Sequence, residues 1–456
     1  MSTDDGLKAA IEKMRADDVP EVAIGTFEDN YRRLRDGETG MVPESTIEPL
    51  DSPSLDAAGY RDEDGTAALG RTVVVKLNGG LATSMGMDRA KSLLEVKDGL
   101  SFLDVIVRQV LGLRRRHGVR LPLLFMDSYR TQADTLRALE AYPDLPGELP
   151  ADFLQTKEPK LLLEDLTPVE WPADPSLEWC PPGHGDLYGV LHSSGLLDRM
   201  IDLGFTQLFV SNADNLGAVP APEVAAWFAG SGAPFAIEAV RRTASDRKGG
   251  HFARRTADGR IVLRETAQTL PEDKAALADL DRHRYASTNN IWIDLAALRS
   301  ALDERGGRLG LPFIRNVKNV DPTEPGSPAV VQLESAMGSA IEVFDGAATV
   351  AVERSRFVPV KTTDDLLVLR SDCYGLDEDF VLHRRSEALP FVELGKPYTF
   401  VGPFAERFPD GAPSLRRATA LRVPGDWTFG AGVTVVGDVT VEGEGGTIPP
   451  GTVLEG

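Results

Sequence analysis

The chain has 456 residues, a formal net charge of −21 at pH 7 and 42% hydrophobic residues. An acidic surface repels polyanions, so the charge argues against broad nucleic-acid binding and against an anionic membrane surface, and no apolar run approaches the ~18 residues of a membrane span. The length indicates two or three domains. Two cysteines argue against a disulfide scaffold, and with an amino-terminal stretch unlike a signal peptide they predict a cytoplasmic location.

The amino-terminal part is predicted to be helical over residues 1–50. Apolar residues recur there at helical spacing, first over 7–14 and again over 27–34. A polar stretch over 51–65 then predicts a loop or linker.

A different rhythm begins at Thr72, where strands and helices alternate. The apolar run Thr72–Leu77 is rich in β-branched residues, which is typical of a strand buried on both faces of a parallel sheet. A helix over about 101–116 follows and is predicted to end at Gly118. The alternation predicts an α/β sheet with helices on both faces. The other predicted elements are strands over 121–126, 207–210 and 235–240, and helices over 131–142 and 193–203.

The carboxyl-terminal segment has a third pattern. From Trp427 onward valines alternate with glycines at intervals of about six residues. The pattern indicates either short β-helix coils or a single β-hairpin. It predicts a small β domain, with no helix after Trp427.

A glycine loop follows the first predicted strand, in the stretch Lys76–Gly86. Gly79 and Gly80 would let the backbone approach a base or a phosphate, and Lys91 would offer a point charge for phosphate oxygens. A tight strand–helix turn is the structural alternative. The loop matches neither a P-loop nor the dinucleotide fingerprint, which disfavours an ATPase and a dehydrogenase.

Two further stretches place polar side chains in constrained loops. Paired prolines and glycines sharpen the loop around His184, which could donate to a phosphate or a sugar hydroxyl, although a surface turn is the alternative. An apolar strand runs directly into Asn212 and Asp214. A carboxylate at that position suits Mg²⁺, which takes one or two carboxylates besides phosphate oxygens. An Asx-rich turn is the alternative there.

Three weaker stretches complete the set. Ser245–Gly250 is followed by Glu265, and Tyr285–Trp292 carries two asparagines that would either bind sugar hydroxyls or cap a turn. Lys361 follows an apolar stretch, where it would be either an inward-pointing cation or an ordinary solvated lysine.

In this order the six stretches resemble the UTP–glucose-1-phosphate uridylyltransferases of the eukaryotic type. The resemblance starts at Gly40-Met-Val-Pro-Glu44 and runs past Lys361. It implies a central Rossmann-like, GT-A-like nucleotidyltransferase domain with a mixed, mainly parallel sheet. The implied domains are a helical region and linker over 1–65, the catalytic domain over 66–385, and a short left-handed β-helix-like domain over 386–456.

The resemblance also implies the roles of individual residues. Lys361 and Lys91 are expected to be catalytic, and Asp214 is expected to bind Mg²⁺. The implied nucleotide-binding residues are Leu77, Asn78, Gly79, Gly80, Lys91, Gln155, Gly183, Asn212, Ala213, Asp214 and Lys361. The implied sugar-phosphate-binding residues are His184, Asn212, Gly250, Glu265, Ser287 and Asn289.

The implied activity is transfer of uridylyl from UTP to glucose 1-phosphate, by Mg²⁺-dependent attack on the α-phosphate. Ser287 stands where the family's sugar loop begins with asparagine, so another or a relaxed sugar specificity stays an alternative, for galactose 1-phosphate or N-acetylglucosamine 1-phosphate. A catalytically silent nucleotide-sugar sensor is a remote alternative, which the retained Asp214, Lys91 and Lys361 disfavour. The expected partners are small-molecule substrates, with self-association through the carboxyl-terminal β domain.

Overall fold

The computed structural model of the chain describes residues 3–55, 60–243, 246–247 and 249–456. Among these residues, no helix combines the length and the apolar character needed to cross a bilayer. The helices are α1 Thr3–Ala16, α2 Glu21–Arg35, α3 Asp62–Leu69, α4 Phe102–His117, α5 Gln132–Leu139, α6 Leu187–Ser193, α7 Leu196–Asp202, α8 Pro222–Ser231, α9 Lys274–Leu277, α10 Leu295–Glu304, α11 Thr363–Arg370 and α12 Val401–Arg407.

The strands alternate with these helices through most of the chain. They are β1 Ile47–Pro49, β2 Thr72–Leu77, β3 Glu95–Lys97, β4 Leu100–Ser101, β5 Leu123–Asp127, β6 Asp152–Leu154, β7 Glu158–Pro159, β8 Leu161–Leu162, β9 Trp179–Cys180, β10 Gln207–Asn212, β11 Phe235–Arg241, β12 His251–Arg255, β13 Ile261–Arg264, β14 Tyr285–Asp294, β15 Phe313–Asn319, β16 Ala329–Ser335, β17 Ala348–Ala351, β18 Tyr374–Leu376, β19 Leu382–Arg384, β20 Phe391–Leu394, β21 Ser414–Val423, β22 Asp426–Phe429, β23 Thr434–Thr440, β24 Gly445–Ile448 and β25 Val453–Glu455.

The largest sheet has the strand order β17-β11-β14-β10-β2-β5-β6 and is mainly parallel. Strand β14 runs antiparallel to both of its neighbours, whereas β11 and β17 are parallel. Strands β2, β10 and β11 are buried along nearly their whole length, as expected for strands covered on both faces. The predicted α/β fold and the predicted strand over 72–77 are confirmed.

The chain forms two compact units, each assembled from three stretches. The first unit consists of the chain up to Val75, Glu148–Val210 and Pro220–Val352, and the second of Lys76–Gly147, Ser211–Val219 and Glu353–Gly456. Strands β2 and β10 begin in the first unit and end in the second. The domain boundaries after residues 65 and 385 stay a prediction.

The amino-terminal helices pack into the core of the first unit. Phe27 and Tyr31 of α2 are 1% and 0% exposed, and they join a cluster that includes Phe313. The helical spacing over 7–34 therefore predicted the buried faces correctly. The prediction that helix continues to residue 50 was wrong. The helical run ends at Arg35, and Gly37 and Gly40 adopt positive φ. Strand β1 then pairs antiparallel with β12.

Two other predicted elements differ from the structure. The stretch predicted as a loop over 51–65 contains the start of α3 at Asp62, while residues 56–59 lie outside the described part. The helix predicted over 193–203 is present as α7, but its start differs, because α7 begins at Leu196 and Ser193 is the last residue of α6. Gly195 has a φ of 72°, which α-helical geometry does not accommodate, so α7 can begin only after it.

Helix α4 has the ends that its sequence predicted. Ser101 Oγ accepts a hydrogen bond from Asp104 N at 3.1 Å, and Asp104 Oδ2 accepts one from Ser101 N at 2.8 Å, which forms a capping box. At the other end Gly118 N donates to Arg114 O at 2.9 Å with a φ of 64°. Gly118 thus ends the helix in a conformation that favours glycine.

The carboxyl-terminal strands pair in parallel. β21 pairs parallel with β20 and β23, β23 pairs parallel with β25, and β22 pairs parallel with β24. A hairpin would require antiparallel pairing, so the β-helix-like interpretation of the Val/Gly pattern is confirmed. Helix α12 lies between β20 and β21, before the segment predicted to lack helix. The left-handed sense of the coils stays a prediction.

We expect Gly118→Ala to lower the free energy of unfolding by about 1 kcal/mol or more, because an L-residue is disfavoured at positive φ. A Cβ at Gly118 would meet no atom within 4 Å, so backbone strain alone is tested. The matched control is Gly147→Ala, in the same unit, where a Cβ also meets no atom within 4 Å and φ is not positive. Urea unfolding checks both, and equal effects would contradict the role of Gly118.

Candidate active site

The carboxyl ends of three strands meet in the second unit. Asn78 N donates to Met126 O at 2.8 Å, and Ala213 N donates to Leu77 O at 3.1 Å. The loops after β2, β5 and β10 are therefore adjacent. Ligands of open α/β sheets bind at such strand ends, so the structure brings the two predicted nucleotide-binding loops, after β2 and after β10, together at the expected edge.

The Asn78 side chain holds the glycine loop in place. It is 3% exposed, and its Nδ2 donates to Asp127 Oδ1 and to Thr135 Oγ1, both at 2.8 Å. Ser128 Oγ donates to Gly79 O at 3.0 Å. Both amide hydrogens of Asn78 are thus committed to the protein.

The two ends of the glycine loop are hydrogen-bonded to each other, and Gly80 is exposed. Lys91 N donates to Gly80 O at 3.1 Å, and Leu81 forms an isolated bridge with Ala90. A Cβ at Gly80 would meet no protein atom within 4 Å. The loop therefore carries Lys91 back beside the exposed glycine, where the backbone can be approached closely.

Lys76 opens the same motif but has a different role. Its Nζ is buried and donates to Ser211 Oγ at 2.7 Å and to Ala218 O at 2.6 Å. These bonds tie β2 to the chain after β10. Lys91, in contrast, reaches the carboxylate at the strand ends.

Asp214 is the centre of the charged cluster. Its Oδ2 accepts hydrogen bonds from Lys91 Nζ at 2.8 Å and from Lys361 Nζ at 3.1 Å. Burial opposes ionisation of Asp214, but the charges of Lys361 and Lys91 outweigh it and hold its pKa below the ordinary value. The carboxylate is 12% exposed, whereas the Lys361 side chain is 61% exposed. Lys361 is thus both a solvated lysine and an ion-pair partner.

The second carboxylate oxygen of Asp214, Oδ1, does not contact either lysine through a hydrogen bond. Among the residues that the structure describes, Oδ1 is buried and accepts no hydrogen bond. No group of three or more His, Cys, Asp or Glu able to hold a metal occurs in that part of the chain. A single carboxylate nevertheless fits Mg²⁺ when substrate phosphates supply further ligands. The donor set at Asp214 is therefore compatible with the predicted metal.

Asn215 fixes the segment that leads to Lys361, a role that the sequence did not predict. It is 1% exposed, its Nδ2 donates to Arg356 O at 3.1 Å, and its Oδ1 accepts from Val358 N at 2.9 Å. The segment before Lys361 is thereby fixed along the residues after β10. The available signal was the asparagine directly following Asp214 in the sequence.

In the first unit, the loop of His184 packs on the residues after β16. His184 Nδ1 accepts from Met337 N at 2.9 Å, which places the ring proton on Nε2 as a donor. Gly183 has a φ of 80°, and a Cβ there would collide with the backbone of Ser335. Both the conformation and the packing therefore require glycine at position 183.

The asparagine stretch is a strand, β14, instead of a turn. Asn289 has a φ of 57°, and its N–H donates to Ser287 Oγ at 3.0 Å. Asn290 is buried, and its Nδ2 donates to the buried Glu238 at 2.9 Å. Asn290 is therefore part of the core, whereas the sugar contact of Asn289 stays a prediction.

Gly250 and Glu265 adjoin each other at the ends of β12 and β13. A Cβ at Gly250 would lie 2.5 Å from Glu265 Oε2, so the carboxylate uses the space that a side chain would take. Burial raises the pKa of Glu265. Ser245 and Lys248 of the same predicted motif lie outside the described residues.

The predicted site residues are divided between the two units. The second unit contains Leu77, Asn78, Gly79, Gly80, Lys91, Asn212, Ala213, Asp214 and Lys361. The first unit contains Gln155, Gly183, His184, Gly250, Glu265, Ser287 and Asn289. Residues 335–338 contact the loop of His184 and also approach Asn289, because a Cβ at Gly338 would lie 3.7 Å from its Oδ1. The only signal for this segment was its run of small residues.

Comparison with known proteins places this geometry in a family. The family model described as UTP–glucose-1-phosphate uridylyltransferase matches residues 25–436. The chain belongs to this family. The enzyme of that name from Hordeum vulgare is 35% identical over 464 residues, which is 99% of this chain and 95% of the relative.

Solved structures agree with this assignment. A UDP-glucose phosphorylase from Trypanosoma brucei is 41% identical with a TM-score of 0.91, covering 99% of this chain and 98% of that one. A variant of UDP-glucose pyrophosphorylase from Leishmania major, solved in complex with UDP-glucose, is 40% identical with a TM-score of 0.92 over the same shares of both chains. The family resemblance inferred from six motifs is confirmed, and the roles of individual residues stay predictions.

We expect Asp214→Asn to destabilise this uridylyltransferase-family protein by about 1.5–3 kcal/mol at pH 7, the range for a hydrogen-bonded charged group. Because the pKa of Asp214 is lowered on folding, its contribution is present above the ordinary pKa of about 3.9 and is lost as pH falls through the folded value. The stability gap to wild type should therefore shrink below about pH 4.

Urea unfolding between neutral and acidic pH measures this gap. The control is Asp144→Asn, which removes the same charge from an exposed position in the second unit. A gap for Asp214→Asn that stays constant with pH would show that the ionised carboxylate does not stabilise the cluster.

Proposed function

We propose that this protein transfers the uridylyl group of UTP to glucose 1-phosphate, producing UDP-glucose and pyrophosphate. The observation that carries the proposal is the convergence of Lys91 and Lys361 on Asp214 at the strand ends. Two cations around one buried carboxylate suit a polyphosphate far better than a neutral ligand. The relatives' names supply the reaction, and this cluster supplies groups that the reaction needs.

Charge stabilisation is the main task of the proposed site. The attacking phosphate oxygen of the sugar phosphate is ionised at neutral pH, so no general base is needed. It forms a new bond to the α-phosphorus of UTP, and the bond from that phosphorus to the pyrophosphate oxygen breaks. Lys91 and Lys361 would hold the phosphates in line and offset the negative charge that gathers during transfer.

Asp214 is the residue proposed to hold Mg²⁺. Its Oδ1 accepts no hydrogen bond from the described residues, and both lysines bind Oδ2 instead. One oxygen of the carboxylate can therefore take a cation while the other keeps its lysine partners. When bound, Mg²⁺ would neutralise phosphate charge. The residues of the protein would then position the substrate oxygens.

The sugar phosphate is proposed to bind residues of the first unit. His184 Nε2–H is a donor for a phosphate or hydroxyl, because its Nδ1 is already occupied by Met337 N. Glu265 and Asn289 offer groups for sugar hydroxyls. Ser287 Oγ accepts a hydrogen bond from the backbone N–H of Asn289 at 3.0 Å, so it supports the part of β14 that would contact the sugar.

The direct test measures pyrophosphate release by purified protein with UTP, Mg²⁺ and a panel of sugar 1-phosphates. We expect release with glucose 1-phosphate, and its loss on addition of EDTA. Release only with galactose 1-phosphate or N-acetylglucosamine 1-phosphate would retain the chemistry and overturn the sugar. Absence of release with every sugar would overturn the proposed activity.

We expect Lys361→Ala to lower kcat by about 10²–10³-fold, the typical cost of removing one group that stabilises transition-state charge. The fold should survive, because the side chain is 61% exposed. Lys396→Ala, at an exposed lysine of the second unit, is the control and should retain wild-type turnover. Turnover of Lys361→Ala within threefold of wild type would exclude the role.

Two further properties belong to this proposal. A cytoplasmic location is supported by Cys180 and Cys373, which are both buried free thiols and fit a reducing compartment. Self-association is supported by Phe391 and Val453, which are 55% and 51% exposed on the two edge strands of the carboxyl-terminal sheet. Sedimentation velocity over a range of concentrations would test the self-association.

A further inference from the structure

Glu44 is the last residue of the Gly40–Glu44 motif, and the proposed function leaves it without a role. Its carboxylate is 16% exposed and has three basic partners in the first unit. Oε2 lies 2.7 Å from Arg264 Nη2, and Oε1 accepts from Arg282 Nε at 2.6 Å and lies 3.0 Å from His283 Nε2. One carboxylate therefore ties the amino-terminal motif to two separate stretches of the catalytic fold.

Among these three partners, Arg264 is the one whose charge is fully buried and most dependent on the carboxylate of Glu44. Its side chain is 0% exposed, and a buried guanidinium without a counter-charge is very costly. Its Nε donates to His251 Nε2 at 3.1 Å, so His251 is neutral and carries its proton on Nδ1, which lies 3.1 Å from Phe252 O. The imidazole of His251 also stacks on His283, with ring centroids 3.7 Å apart.

This buried network is adjacent to the proposed sugar site. His251 and Arg264 are paired across β12 and β13, and the residues next to them in sequence are Gly250 and Glu265. A Cβ at Gly250 would lie 2.5 Å from Glu265 Oε2. A shift of Arg264 or His251 would therefore move both the carboxylate and the backbone against which it rests.

The amino-terminal motif also holds Glu265 from its other side. Val42 N donates to Gln268 O at 2.8 Å. Gln268 in turn forms a capping box with Glu265, and its Oε1 accepts from Glu265 N at 3.0 Å. Residues 42–44 thus fix Glu265 through the buried Arg264 before it and through Gln268 after it.

We propose that Glu44 is a positioning residue for the sugar end of the reaction, acting through Arg264 to hold the Glu265 carboxylate against Gly250. The inference rests on the proposed function, because it assigns Glu265 to the sugar. A merely structural role would instead weaken the fold without distinguishing one ligand from another.

The test compares binding of UDP and of UDP-glucose by calorimetry, since UDP-glucose carries a glucose on the terminal phosphate that UDP lacks, and each variant is compared with wild type for the same ligand. For Glu44→Gln we expect the Kd of UDP-glucose to rise at least tenfold and the Kd of UDP to stay within twofold. The KM of glucose 1-phosphate should rise by a similar factor while the KM of UTP stays within twofold. Glu44→Asp retains the charge and should recover part of the loss.

The matched control is Asp51→Asn. Asp51 also lies in the amino-terminal segment and pairs with an arginine next to His283, since its Oδ2 is 2.9 Å from Arg284 Nη2. This pair is 64% and 39% exposed at Asp51 and Arg284, so its loss should leave both Kd values within twofold of wild type. An effect equal to that of Glu44→Gln would overturn the proposal.

Glu44→Gln leaves the buried Arg264 without its counter-charge, so the thermal unfolding midpoint is measured for every variant. If the single variant does not fold, the double variant Glu44→Gln/Arg264→Met removes both charges and replaces them with groups of similar size. Selective loss of UDP-glucose binding by either variant supports the proposal. Equal weakening of UDP and UDP-glucose, or no weakening, overturns it. Failure of the wild-type protein to bind UDP-glucose would instead overturn the proposed function.

Discussion

The shared carboxylate of Asp214 is the interaction on which the second unit depends. Two lysines that are distant in sequence, Lys91 and Lys361, converge on one of its oxygens. Neither lysine could be held so close to the other without this negative charge between them. The ion pairs thereby bring the glycine loop, the end of β10 and the start of α11 into one arrangement, and the other carboxylate oxygen accepts no hydrogen bond from the part of the chain that the structure describes.

Hydrogen bonds from buried side chains keep the loops of this arrangement in place. The side chains of Ser128 and Asn215 hold loop backbone, and the side chain of Asn78 binds the side chains of Asp127 and Thr135. None of these three residues needs to contact a ligand to keep the loops in place. A polar residue after a strand therefore has two different uses in this protein. Some of these side chains are committed to the fold, whereas Lys91 and Asp214 keep groups that a substrate could address.

The proposed sugar-binding residues of the first unit are positioned by close packing. Gly183 and Gly250 are places where a side chain would collide with the Ser335 backbone or with the Glu265 carboxylate. The ion pair of Arg264 with Glu44 lies next to Glu265 in the fold, because Arg264 directly precedes Glu265 in sequence. Such a site is sensitive to small displacements of backbone, because its polar groups are positioned by packing.

The order of residues along the chain was sufficient to predict the fold class and the family. Buried strands, capped helices and Val/Gly coils are local or periodic features, and Thr72–Leu77, α4 and the carboxyl-terminal coils followed them. Where prediction failed, in the residues after Arg35, a strand partner remote in sequence overrode the local pattern. Asn290 bonds Glu238, two lysines share Asp214, and Glu44 pairs with Arg264, and each of these contacts joins residues that are far apart along the chain. Only packing in three dimensions decides such contacts, because they depend on which face is covered and which partner arrives there.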